Sequence, residues 1–517
     1  MLDFNLIPIL PEIFLAFTAM GLLIVGVSGG NKSTDIICWA AVLSCLMAIF
    51  LLFGISWQRT TVLNDMFIID QFGGFMKLII LLGMIASIAL SVKYLYQEQM
   101  IRFEYPVLML MACVGMMLMV SAHNLLGLYM ALELQSLSLY VLAAFRRNSY
   151  KSAEAGTKYF VLGALSSGLI LFGISLVYGF TGSINFSVIQ TSLSNEGAAN
   201  IGAIIGMVFL LSGLAFKISA VPFHMWTPDV YQGAPTSVTA FFAIVPKVAA
   251  FALIIRLLYE PFAPLMEQWS QIILFLSVAS MTVGAFAALV QDNLKRLLAY
   301  SSIGNMGYAL IGIVAGNEAG VSAVIIYLFI YMFMTAGTFG VILCLRRGGI
   351  ASEKISDLGG LSLTNPALAY AMAILMFSMS GLPPLAGFFG KLFVFQAAID
   401  GELYALAIYG VITTVIAAYY YLRIIKVMFF DDPVDTLDKD IPFARRAVIF
   451  VSVIFVLGFI IKPNLLVSSS QSAASAITAP QGLAVKKTIK EPPQAAAAGD
   501  RPSSTEAAAT VTGAQDK

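Results

Sequence analysis

The chain has 517 residues, 59% of them hydrophobic and 11% charged, with a mean hydropathy of +0.90 and a formal net charge of +1. Soluble domains carry about 25% charged residues, so this composition excludes a soluble enzyme and identifies an integral membrane protein. So small a net charge gives no indication of a nucleic-acid or acidic partner.

A helix needs roughly 20 predominantly apolar residues to cross a bilayer. Fourteen stretches reach that length, centred near Phe17, Leu46, Leu82, Met111, Leu134, Leu169, Leu210, Ala249, Val278, Leu310, Ile330, Leu385, Ile416 and Phe455. No Lys or Arg precedes the first, which therefore lacks the basic start of a cleaved signal and is expected to stay as span one. If loops alternate sides, the odd ones hold Arg146, Arg147, Arg346, Arg347, Arg445 and Arg446, among others. The even loops between spans hold only Arg59 and Arg256. The positive-inside rule then places the odd loops in the cytoplasm and both termini outside.

In chain order, Lys77 of span three and Lys158 of span six, which follows Glu154, are close enough to span ends to extend toward the interface. His123, in the turn between spans four and five, is expected to be satisfied or solvated. Span five carries Glu133 at its centre, without a neighbouring charge and too deep to snorkel. Lys217 lies in span seven, with His224 further along and on the same face if the helix continues. Lys247 directly follows Pro246 in span eight, and Lys391 lies beyond Pro383 in span twelve. Each charge at mid-bilayer costs roughly 2.5–3.5 kcal/mol, so four of them point to ion or proton movement, the alternative being structural ion pairs that lock helices. Burial disfavours a lysine's charge and a nearby carboxylate restores it. Making and breaking a Glu133–Lys217 contact is thus a switch of suitable size, since moving a proton against about 170 mV costs about 4 kcal/mol. Asp229, after Pro228, reads as a turn cap.

The segment Lys217-Ile218-Ser219-Ala220-Val221-Pro222 is echoed by Ser378-Met379-Ser380-Gly381-Leu382-Pro383. The two fall in spans seven and twelve, an odd offset that makes the copies face opposite ways, as in an inverted repeat. Pro222 and Pro383 cannot donate to the preceding turn, so both spans are expected to break and to open one half-channel from each side. Pro246 is expected to kink span eight. Cys38, Cys45, Cys113 and Cys344 form no CxxC pair, and with only two histidines the chain lacks ligand sets for haem, iron–sulfur or zinc, so the cysteines read as small core residues. Beyond Asn464 the composition turns to Ala, Ser, Thr, Gly and Pro, and disorder is expected over 468–517.

The run Phe216-Lys217-Ile218-Ser219-Ala220-Val221-Pro222-Phe223-His224-Met225-Trp226-Thr227-Pro228-Asp229-Val230-Tyr231 closely resembles the signature of the subunit N family of proton-pumping NADH-quinone oxidoreductase, respiratory complex I. Leu132-Glu133-Leu134-Gln135-Ser136, the run from Lys158 to Gly168 and the run from Leu294 to Gly304 are similar to the same family. The resemblance implies an all-α integral membrane fold of 14 transmembrane helices with helices 7 and 12 broken. Three N-terminal helices (1–103) would precede two inverted five-helix repeats, spans 4–8 (104–260) and 9–13 (261–430), and one C-terminal helix (431–467) would follow.

By the same resemblance, Glu133 and Lys217 would form a coupled pair, Lys247 would be central and Lys391 would face the exit; the residues themselves add His224, which titrates near neutrality between two lysines, and Lys158 as further candidate proton carriers. It implies a proton-translocating subunit of a bacterial inner membrane that holds no cofactor. Flavin, iron–sulfur clusters and quinone would reside in partner subunits of the redox arm, reached through other membrane-arm subunits. Asn305 departs from relatives that often carry histidine there, so a histidine relay would have to be replaced by water or another group. Two other readings of the residues are a subunit of an Mrp-type sodium/proton antiporter and a non-pumping membrane scaffold.

Overall fold

Peptide groups in hydrocarbon must satisfy one another, and a continuous helix does so within a single segment. The computed structural model describes residues 6–196, 200–438 and 440–478. Among these are ten helical stretches long and apolar enough to cross a membrane, and three shorter apolar helices.

A hairpin of α1 (Leu10–Gly29) and α2 (Thr34–Phe53) is followed by a short antiparallel ribbon, β1 (Thr60–Val62) with β2 (Phe67–Ile69). Next come α3 (Gln71–Gln97), α4 (Glu104–Val120), α5 (Leu125–Ala143), α6 (Tyr150–Thr181) and the short α7 (Phe186–Glu196). One interrupted helix comprises α8 (Ile201–Lys217) and α9 (Trp226–Gly233), and α10 (Thr236–Tyr259), α11 (Met266–Leu289), α12 (Leu294–Val314) and α13 (Glu318–Ile342) follow it. Beyond a ribbon of β3 (Arg346–Arg347) and β4 (Ile350–Ala351) and the single turn α14 (Leu361–Thr364), a second interrupted helix comprises α15 (Pro366–Ser380) and α16 (Ala386–Asp400). The order ends with α17 (Tyr404–Phe430), α18 (Phe443–Gly458) and α19 (Asn464–Thr478).

Helix starts follow the local sequence. Asp70, Asn124, Ser149, Asn200, Asn293 and Asn317 each accept a first-turn backbone N–H, satisfying a donor that the helix leaves free. Every residue of α10 is buried, which makes it the axis of the molecule, and it runs without a break through Pro246. Arg256, expected in a loop, is in the last turn of α10 and is fully buried.

Loops expected on one side do converge. Glu98, Arg146, Lys295, Arg346 and Glu353 surround a common polar cavity of about 470 Å³, whereas Arg59, Asp70, His123, Arg256 and Glu260 meet in a separate ion-pair cluster.

The expected disorder does not begin at Ser468. Ser470, Ala473, Ala474 and Ile477 recur at helical spacing and form the buried stripe of α19, which packs on α3 and α13. Small residues supply that seam, and average composition conceals their spacing. The remainder of the expected tail lies outside the described residues.

Candidate functional site

Along one face of α5 stand Glu133, Ser136 and Tyr140, at helical spacing. Glu133 is half-buried and accepts a hydrogen bond from Ser167 of α6. Lys217, the last residue of α8, donates to Ser136 Oγ at 2.8 Å and Tyr140 Oη at 3.3 Å. The direct Glu133–Lys217 contact expected from sequence is absent. The two charges act on each other through space along the same face of α5, while hydroxyls take the ammonium's hydrogen bonds. That placement depends on close backbones, since Ser166 Oγ of α6 donates to Gly213 O of α8 at 2.9 Å and a Cβ on Gly213 would come 2.8 Å from Ser166 O. Gly213→Val is expected to separate α6 from α8 and to destabilise the protein by about 1–3 kcal/mol, measurable as a lowered thermal midpoint.

Both interruptions end in the same cap. Ser219 N donates to Phe216 O and Ala220 N to Ala215 O, with Ser219 at φ +64°. Gly381 N donates to Ser378 O and Leu382 N to Phe377 O, with Gly381 at φ +85°. The geometry pairs Ser219 with Gly381, one residue away from the register of the sequence echo, which had matched Pro222 to the first of two consecutive prolines. Different donors close the two ends. The Trp226 indole donates to Phe216 O at 2.9 Å, whereas Lys391 Nζ donates to Met379 O and Ser380 O, each at 3.2 Å. Lys391 thus sits at the carbonyl end of α15, where the helix dipole favours a cation, and 4.8 Å from the Tyr308 ring centroid.

Lys247 lies midway along α10, 1% exposed, and donates to Ser302 of α12. Ser302 also accepts from Tyr331 Oη at 2.7 Å. One turn along α12, Asn305 donates to Ser301 O at 2.8 Å and accepts from Tyr327 Oη at 2.7 Å, while Tyr421 Oη lies 2.5 Å from Ser301 Oγ. Tyr308 follows, its ring beneath Lys391. Residues 301, 302, 305 and 308 form a polar seam on α12 that runs from Lys247 to Lys391, built of hydroxyls, a carboxamide and phenols. Sequence reasoning missed Tyr327, Tyr331 and Tyr421; their one signal is a phenol inside a long apolar run. Between Lys217 and Lys247 the contacts run through rings instead: Phe216 to Trp226 at 5.4 Å, Trp226 to Tyr231 at 6.3 Å, and Tyr231 to Lys247 at 5.6 Å.

The structure does not bring His224 and Lys158 together with these groups. The helix does not continue past Lys217, so His224 falls in the turn before α9, half-buried, with Nδ1 buried and unpartnered. The Lys158 side chain is 42% exposed and pairs with Glu154 at 2.8 Å and Asp229 at 2.7 Å, beside a cavity of about 200 Å³. Asp229 also pairs with Arg296 at 3.0 Å and so joins α6, α9 and α12 instead of serving only as a turn cap. Lys77 forms a buried pair with Glu12 at 2.6 Å. His123 meets Glu260 at 3.2 Å, a satisfied imidazole. Among the described residues, no group of three or more His, Cys, Asp or Glu is arranged to hold a metal ion.

A family model described as NADH:quinone oxidoreductase/Mrp antiporter, TM, matches residues 122–417. NADH-quinone oxidoreductase subunit N of Paramagnetospirillum magneticum is 50% identical over 92% of this chain and 98% of its own length. That of Rhodospirillum rubrum is 51% identical over 91% and 97%. Among solved structures, a chain of respiratory complex I from Thermus thermophilus with bound aureothin is similar with a TM-score of 0.76 and 31% identity, covering 89% of this chain and 99% of that one. A chain of the Mrp complex from Dietzia sp. DQ12-45-1b gives 0.79 at 22% identity, covering 91% and 97%, a likeness of fold alone.

Proposed function

This chain belongs to the subunit N family of NADH-quinone oxidoreductase, and we propose that it moves protons across the membrane through Glu133, Lys217, Lys247 and Lys391, driven by redox chemistry in partner subunits. One observation carries this reading. Elsewhere among the described residues most buried cations pair with carboxylates: Lys77 with Glu12, Arg256 with Asp70 and Glu260, Lys295 with Glu353, Arg346 with Glu98; the exception, Arg445, sits in the first turn of α18 and bonds to Leu343 O and Gln97 Oε1. Among the described residues Lys217, Lys247 and Lys391 have no such pair and bond to hydroxyls and carbonyls. A scaffold that used charge to lock helices would pair them too, because an isolated buried charge is the costly arrangement. Hydroxyls and amides can pass a proton on, and the α12 seam extends this chemistry toward Lys391.

The reading includes 14 crossings, two inverted five-helix units at 104–260 and 261–430, and both termini on the external side of a bacterial inner membrane. In its support, each expected span centre lies in a helix except Leu385, which lies at the second interruption, and the two interruptions share one cap. Flavin, iron–sulfur clusters and quinone belong in partner subunits, and this chain performs no redox step itself. Half-buried Glu133 is flanked on its outer face by exposed Met130 and Leu137, and other membrane-arm subunits are the natural cover for a carboxylate at that depth. The Mrp-type reading rests on a shared fold and is the weaker one.

Lys217→Ala in the intact complex, reconstituted in sealed vesicles, tests the proposal. Assembly should persist while the ratio of protons moved to quinone reduced falls. An unchanged ratio would favour a scaffold, and a sodium requirement the antiporter.

A further inference from the structure

Apart from the polar seam, a cavity of about 710 Å³ lies between α3, α13, α18 and α19. Its wall is aromatic and rigid. Phe75 stacks on Phe329 at 6.4 Å, and Phe329 meets the edge of Phe455 at 5.6 Å. Trp57 lies flat on α3 because residue 74 is glycine, where a Cβ would come 2.6 Å from the indole, and its Nε1 is fixed on Leu52 O at 2.9 Å. The opposite lip is α19, held in place by Ser470 on Ser322 Oγ at 3.0 Å and presenting Leu466.

The groove is as deep as one leaflet. It runs down α3 from exposed Gln71, the first residue of that helix, to Leu82, about 16 Å at helical rise. Half of a hydrocarbon core about 30 Å thick is nearly the same length. A crossing helix from another chain would have to continue through the other half. The volume falls within the roughly 300–1,000 Å³ of small-molecule sites. The rim supplies the polar chemistry, with the amide of Gln71 and with Lys462, which is exposed and without a carboxylate partner among the described residues. Among the described residues, no acidic side chain lines the cavity.

An apolar, aromatic-walled slot one leaflet deep with a cation at its mouth matches a single class of ligand. We propose that the groove holds a phospholipid, its acyl chains along α3 between α13 and α18 and its phosphate on Lys462. The inference rests on the chain being embedded in a membrane and is independent of the proton path.

The test uses the whole complex, delipidated in mild detergent and incubated with phosphatidylglycerol carrying a photoactivatable acyl chain. Labelling should concentrate on 71–82 and 455–466, and unlabelled phosphatidylglycerol should compete it away. Leu78→Trp, which fills the slot, should abolish it, and the surface change Lys462→Glu should weaken it about tenfold. Labelling no stronger than on the outward face of α6, or unaffected by Lys462→Glu in an assembled complex, would overturn the proposal. So would a photoreactive side chain at position 78 that captures a neighbouring polypeptide instead of lipid. Retained labelling in the Lys217→Ala complex would show the site standing even where proton movement fails.

Discussion

Asp70→Ala is expected to destabilise the protein by about 3–5 kcal/mol, because it leaves the Arg256 guanidinium buried with its main counter-charge removed. Asp70 accepts both Nη1 and Nη2 of Arg256 at 2.9 Å and also caps α3 through Gly73 N at 2.6 Å, so one substitution removes a bidentate pair and a helix cap. Arg256 further donates from Nε to Val120 O at 2.8 Å and from Nη1 to Glu260 at 2.9 Å, and Glu260 continues to His123 and Arg59. The cluster joins the ends of α3, α4 and α10 with the turn before α5. Asp70→Asn keeps the cap but not the charge and should fall between the two. Lys93→Ala, whose partner Asp440 is 76% exposed, should shift stability by less than about 1 kcal/mol. Thermal unfolding of the purified complex, followed by loss of this subunit, separates the three. Similar midpoints for Asp70→Ala and Lys93→Ala would refute the argument.

Lys247→Met is expected to behave in the opposite sense: stability held or raised, function lost. The ammonium is 1% exposed with a serine hydroxyl as its partner, so a thioether of similar length removes a desolvated charge at little packing cost. Proton translocation coupled to NADH oxidation should fall about tenfold or more, because the group between the Lys217 region and the α12 seam can no longer carry a proton. Tyr331→Phe removes a donor to Ser302 and should cost less. If Lys247→Met destabilises the protein and leaves translocation intact, Lys247 is a packing element and the proposed path is wrong at its centre.

The deep charges were legible because composition makes them rare: Glu133, Lys217, Lys247 and Lys391 stand out in apolar runs where nothing else is ionised. The interruptions were legible from proline, though a second proline at Pro384 hid the true register. Asp70, Arg256 and Glu260 looked ordinary because charges near span ends usually face water, and only the fold brings them together. Ser301, Ser302 and the three phenols were hidden for a different reason. A hydroxyl barely disturbs an apolar pattern, so the sequence marks where charge is stored far more clearly than what lies between. His224 misled because its spacing assumed a helix that in fact ends at Lys217, in the left-handed cap at Ser219.

The two interruptions are stoppered unlike each other. An indole N–H, which does not titrate, holds Phe216 O, whereas a titratable group, the ammonium of Lys391, grips two terminal carbonyls. One stopper is therefore indifferent to protonation and the other is built on a group that carries a proton. If protons travel as proposed, two interruptions with one backbone cap but unlike side-chain closures would give the path a fixed end and a loosening end, and so a sense of direction.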